Sequence, residues 1–115
     1  MHELGLIVDV VDMAEKIVEE QKLGQVKKLV LDVGEMYFII PTLMHSVYRA
    51  AIKGTKLEDS EIELQVVPAA ADGSGCGQSF NPLQEDGVCP HCGERDYTVK
   101  AGKEFAIRQI EACET

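Results

Sequence analysis

No apolar run in this 115-residue chain approaches the ~18 residues that a bilayer-spanning helix needs, so a transmembrane helix is excluded. Cations are scarce as well: 11 Lys and Arg stand against 20 Asp and Glu, for a formal charge of −9. A surface that acidic is repelled by phosphate backbones, which excludes general nucleic-acid binding. The basic leader of a secretory signal is missing, because Glu3 and Asp9 occupy the stretch where Lys or Arg would stand, and a cytoplasmic location is expected. Cysteine is sparse, limited to Cys76, Cys89, Cys92 and Cys113. In a cytoplasmic chain these predict metal ligation or thiol chemistry rather than disulfides. No Ser–His–Asp set, phosphate-binding glycine loop or acid–base carboxylate pair is visible, so no enzyme is expected.

What is present reads as one body of α+β class: two helices packed on a three-stranded sheet, with a small inserted zinc-knuckle-like domain. Hydrophobic residues make up 45% of the chain, enough for a core and too many for disorder. From Leu4 to Gln21 the residues Ile7, Val10, Val11, Ala14, Ile17 and Val18 recur at helical spacing, the mark of an amphipathic helix. Gly24 is expected to end it as a left-handed cap. "VKKLVLDVGEM" is aliphatic throughout and predicts a buried strand closing at Gly34. Pro41 suits a first helical turn, and Met44, Val47, Tyr48 and Ala51 carry that second helix toward Gly54, with His45 on its solvent side. "EIELQVV" alternates with Ile62, Leu64 and Val66 on one face and stops at Pro68. "KEFAIRQIEA" alternates at Phe105 and Ile107, then shifts to Ile110, as a bulge would require. The expected division is residues 1–70 with 99–115 for the main domain and 71–98 for the insertion.

That insertion is rich in glycine and polar residues and holds three of the cysteines. It has too little apolar surface to fold unaided, and zinc is the common staple in such cases. Cys89-Pro90-His91-Cys92-Gly93 is one half of a zinc knuckle, with two thiolates able to reach a single ion at about 2.3 Å. Cys76-Gly77 supplies the second cysteine of the other half, and the first would fall at residue 73, which is glycine. Two outcomes stay open at this point. Either zinc is held by Cys76, Cys89 and Cys92 with a substitute fourth ligand (Asp72, His91, Cys113 or water), or the site is weak or empty. C-P-H-C is also the motif of oxidising thioredoxin-like proteins, but those need a helix after the motif, and "GERDYTVKAG" reads as a turn and a strand.

At the other extreme, "MHE" places His2 and Glu3 directly behind Met1. The bulk of His2 is expected to protect Met1 from excision. The Met1 amine, the His2 amide nitrogen and the His2 imidazole can then chelate one ion through fused small rings. A deprotonated amide nitrogen suits Ni(II) or Cu(II), which favour square-planar nitrogen donors, and Glu3 could add an oxygen ligand or an outer-shell acceptor.

Read in order, "MHE", "VGE" at Gly34, Pro41, "KGT" at Gly54-Thr55, "VPA" at Pro68, "CG" at Cys76-Gly77, "CPHCG" and "GKEFAIRQIE" run the whole length of the chain. In that order and spacing the sequence resembles the HypA/HybF family of nickel chaperones for hydrogenase maturation. The resemblance implies Ni(II) as cargo at Met1, His2 and Glu3, and structural Zn(II) at Cys76, Cys89 and Cys92, with the family's first knuckle cysteine replaced by Gly73. It implies as partners the maturation GTPase HypB and the precursor of the hydrogenase large subunit, with urease maturation a further recipient. It leaves homodimer formation open. The rival expectation is a zinc-ribbon adaptor that binds protein and has no nickel function.

Overall fold

Helix α1 spans His2–Glu20 in the computed structural model, which describes residues 2–113 and, of His2, the backbone alone. Its apolar stripe is the reason for its position: Ile7, Val10, Val11, Ala14 and Val18 are all buried. Each fully buried aliphatic chain contributes roughly 1.5–3 kcal/mol. The stripe begins one step earlier than the apolar residues do, since Glu3 sits four residues before Ile7 and is itself buried. The left-handed residue that closes α1 is Lys22 (φ 52°), two positions before the expected Gly24. The Leu23 amide donates to the Val18 carbonyl at 3.0 Å, the six-to-one bond of a Schellman ending. That bond fixes where the chain turns, ahead of the glycine.

Strand β1 (Val26–Gly34) is the middle strand of a sheet ordered β2-β1-β6, with β2 at Glu61–Val67 and β6 at Phe105–Ala112. The central place accounts for its near-continuous apolar run, because Leu29, Val30 and Leu31 are all buried. The Cys113 amide bonds the Gln25 carbonyl and the Gly34 amide bonds the Glu104 carbonyl, so β1 and β6 run antiparallel. Charge pairs mark the same order: Lys28 reaches Glu63 at 3.3 Å and Glu111 at 3.8 Å, and Arg108 reaches Asp32 at 3.2 Å. Along β2 the apolar face is buried at Ile62 but open at Val66, which is 61% exposed. Along β6 the half-buried positions are Phe105, Ile107, Ile110 and Ala112, which is the register shift read from the sequence.

Helix α2 (Pro41–Ala51) starts with proline in its first turn and packs against α1. It buries Met44 and Tyr48, and its regular bonding stops before Gly54. Hydrogen-bonded turns then carry the chain to Ser60, whose Oγ lies 2.6 Å from the buried Tyr48 hydroxyl.

The chain divides into two compact units, residues 1–32 with 39–65 and 106–115, and residues 33–38 with 66–105. The second has its own sheet, ordered β4-β3-β5, from β3 (Ala70–Gly73), β4 (Ser79–Phe80) and β5 (Tyr97–Ala101). Both pairings are antiparallel. Its core is small: Ala71, Phe80 and Cys89 are buried, with Tyr97 packed on them and its ring 5.6 Å from that of Phe80. Strands β3 and β4 were not read from the sequence, because two short stretches of small and polar residues carry no periodic signal. Among the described residues no helix is long and apolar enough to cross a membrane.

Candidate functional site

The insertion folds around two turns that repeat each other. In the first, the Gly73 amide donates to the Gln78 carbonyl at 3.0 Å and the Gly77 amide donates back to the Gly73 carbonyl at 2.8 Å. In the second, the Cys89 amide donates to Glu94 at 2.9 Å and the Gly93 amide to Cys89 at 2.8 Å. Gly77 (φ 71°) and Gly93 (φ 75°) both lie in the left-handed region that a side chain rarely adopts. Position 73 is therefore the counterpart of Cys89, and Cys76 that of Cys92.

The turns bring the sulfur atoms of Cys76, Cys89 and Cys92 within 4.8 Å of one another. Cys76 and Cys89 are 3.5 Å apart, close to the about 3.8 Å edge of a tetrahedron with 2.3 Å metal–sulfur bonds. Cys89 is buried, while Cys76 and Cys92 are exposed. Burial opposes ionisation of the Cys89 thiol, yet the His91 and Cys92 amides and the neighbouring thiols outweigh it and hold the group below the ordinary thiol range. At Cys76 the Gln78 amide favours the thiolate, but burial and the other two cysteines prevail and raise it. Ionisation is thus easier at Cys89 than at Cys76, and an arriving cation would supply charge that stabilises thiolates at the cluster.

The residues read as fourth ligands are placed elsewhere. Asp72 accepts from Ser79 Oγ at 2.8 Å and pairs with Lys100 at 2.9 Å. The Lys100 bond, then the Ser79 bond, hold its carboxyl below the usual range. His91 is exposed on the second turn and outside the sulfur group. Cys113 belongs to the first unit, where its backbone bonds Gly24 and Gln25. Among the described residues no helix follows Cys92, the element a thioredoxin-like site needs.

At the amino terminus, Met1 and the His2 side chain lie outside the described residues, and Glu3 stands in the first turn of α1 with 7% exposure. Because the helix opens at His2, the His2 amide precedes the first intrahelical bond and is spared for other use. The inward position of Glu3 was readable from its four-residue spacing to Ile7, though a carboxylate disguises an apolar stripe.

A third group of sequence features meets at one place in the second unit. An idealised Cβ on Gly34 would overlap the Gly102 carbonyl, and one on Gly102 (φ 103°) would lie 2.6 Å from the Ala69 Cα. Glu35 accepts from the Ala69 amide at 2.7 Å and from Asn81 Nδ2 at 3.0 Å. Its carboxyl is held below the usual range by the Ala69 bond and then the Asn81 bond. "VGE", "VPA" and the "GK" before β6 are thus parts of one close-packed crossing.

Residues 1–112 match the family model for hydrogenase/urease nickel incorporation, the metallochaperone HypA. The hydrogenase maturation factor HypA of Acidithiobacillus ferrooxidans is 32% identical over 111 residues, 96% of this chain and 98% of that one. The HypA of Rhodopseudomonas palustris is 29% identical with the same coverage. The solution structure of the nickel metallochaperone HypA from Helicobacter pylori superposes with a TM-score of 0.72 at 16% identity, covering 98% of both chains, and so shares the fold.

Proposed function

The chain belongs to the HypA family of nickel-incorporation metallochaperones, and from that premise we propose that it carries Ni(II) on its amino terminus and releases it during maturation of nickel–iron hydrogenase. The ion is cargo, and its donors are the Met1 amine and the His2 amide and imidazole, with Glu3 as a further oxygen ligand or an outer-shell acceptor. The observation that carries this reading is the start of α1 at the second residue. It leaves the His2 amide nitrogen outside the helical ladder and sets Glu3 on the inward stripe. Nitrogen donors of this kind suit a square-planar divalent ion. With few protein donors, each can be displaced in turn by a recipient, so tight selection and release are compatible. The partners are the GTPase HypB and the large-subunit precursor, with urease maturation as a further outlet, in the cytoplasm. The role is delivery, with no catalytic step.

Zinc fits the second unit at three corners of a tetrahedron: Cys76, Cys89 and Cys92 would hold it. When bound it supplies a cross-link between the two turns, in a unit whose apolar core is small. The chain's own contribution is the set of amide–sulfur bonds that orient the thiols.

Nickel titration of the untagged protein tests the cargo reading, beside His2→Ala and a chain extended by two residues before Met1. The wild type is expected to bind one Ni(II), and both variants to lose most of that affinity. Equal binding by all three overturns the terminal chelate. Partner binding without any nickel binding would instead favour the zinc-ribbon adaptor.

A further inference from the structure

Two of the clustered cysteines sit on different turns and differ in access. Cys76, on the first turn, is exposed, whereas Cys89 opens the second turn and is buried. Their sulfur atoms lie 3.5 Å apart, in thiol hydrogen-bond contact. A disulfide has an S–S bond of about 2.05 Å, so one sulfur has to advance by roughly 1.5 Å. Cys89 is the fixed partner, packed with Ala71 and Phe80. Cys76 is the one able to move. Gly75 and Gly77 flank it, and a Cβ on Gly77 would meet nothing within 4 Å, so open space adjoins the turn. Gly73 also leaves the path between the sulfurs clear. An idealised Cβ there would lie 2.9 Å from Cys89 Sγ and 3.5 Å from Cys76 Sγ, space that any other residue would take from them.

We infer that Cys76 and Cys89 form a peroxide-responsive dithiol, Cys76 being oxidised first and Cys89 resolving it, whose disulfide staples the two turns without a metal. The division of roles follows from access, since a small oxidant reaches the exposed sulfur and not the buried one. The Cys76 sulfur attacks one peroxide oxygen, the O–O bond breaks, and Cys76 becomes a sulfenic acid as water leaves. The Cys89 sulfur then attacks the Cys76 sulfur. The S–S bond forms, the S–O bond breaks, and hydroxide departs with the Cys89 proton as a second water. The two thiols lose two electrons and the peroxide gains them; a reducing thiol reverses the change. Cys92 is exposed too, but it shares a turn with Cys89, and a bond between those two would leave the first turn unstapled. The Cys76–Cys89 bond joins the same turns that an ion would, in a unit whose buried core is Ala71, Phe80 and Cys89. It also withdraws two of the three sulfurs, and Cys92 alone is too few to hold an ion. A cysteine at position 73 would have left a pair. The disulfide itself does not need the zinc reading; only this exclusion of the ion rests on it.

The test uses the full chain, reduced, freed of metal with a chelator and then treated with stoichiometric hydrogen peroxide. Free thiols are expected to fall from four to two, with no link between chains, Cys76 joined to Cys89 in peptide maps, and Cys92 and Cys113 still open to alkylation. Cys92→Ser should close the same bond. Amide exchange across β3, β4 and β5 should be slower by about tenfold or more in the oxidised metal-free chain than in the reduced one, and dithiothreitol should restore the faster rate. Zn(II) uptake is expected of the reduced form and lost in the oxidised form. Survival of all the thiols, a bond that includes Cys92 or Cys113, or failure of Cys92→Ser to close overturns the dithiol. Equal exchange in the two forms overturns the staple, and equal zinc uptake by both overturns the exclusion. Uptake by neither removes the zinc reading and leaves the dithiol standing.

Discussion

Gly34 ends β1 against the backbone of Gly102, with no room for a methyl group between them. Both partners are main chain, so neither can rotate aside. Gly34→Ala is expected to cost about 3 kcal/mol or more, the upper end for overpacking, read from urea denaturation; a loss below about 1 kcal/mol would show that the crossing yields. Tyr48 poses the opposite problem, since its ring is buried and its hydroxyl is paired with Ser60 Oγ. Tyr48→Phe leaves the packing intact and Ser60 still bonded to the Leu57 carbonyl. The expected cost is about 1 kcal/mol with an unchanged denaturant slope, and a much larger loss would mean that the hydroxyl organises the turn after α2. Neither requirement could be read from the chain alone. Gly34 lies in a recognisable "VGE", but what it must approach is sixty-eight positions away at Gly102.

At the scale of elements, the 3-10 turn Glu35–Tyr37 ties the end of β1 to the chain before β3 through a single carboxylate. The folded pKa of Glu35 lies below its ordinary value. The stabilisation it confers is therefore complete above the ordinary carboxylate range and is lost as pH falls through the depressed folded value. Glu35→Gln should lower Tm at pH 7, and the gap to wild type should close in strong acid; a gap independent of pH would assign the effect to shape and not to charge. Elements with a strong period were legible: the stripe of α1, the apolar run of β1 and the proline that opens α2. The short β3 and β4 were not, because neither has enough residues to establish an alternation. The cap of α1 was misplaced for a related reason. Gly24 is the residue most tolerant of a left-handed turn, but the bond between Leu23 and Val18 made Lys22 adopt it. At the candidate site the spacing of Cys76, Cys89 and Cys92 announced the trio. The fate of Asp72 depended on which face of β3 it takes, and that in turn on a strand the sequence did not reveal.

Taken whole, the molecule has two units with unequal means of holding themselves together. The first buries apolar residues from both helices and from β1 and β2. The second has Ala71, Phe80, Cys89 and the partly covered Tyr97 as its core cluster, a reserve small enough that a metal cross-link should matter. Removing metal from the loaded protein with a strong chelator is expected to speed amide hydrogen exchange across β3, β4 and β5 and to leave α1 and α2 protected. Uniform acceleration, or none, would contradict that division. Family membership was legible from eight short motifs in order, whereas the physical meaning of three of them emerged only when Gly34, Ala69 and Gly102 were found in contact.

Cys89 holds two posts at once, being one of the three clustered sulfurs and one of three buried members of that small core. It cannot swing away from an ion without uncovering Ala71 and Phe80, whereas Cys92 can do so at the rim with little disturbance. Were an ion held there, its departure would have a sequence: the outer sulfurs would let go first and the inner one last. The interior of the fold would then be a brake on how fast the site could empty.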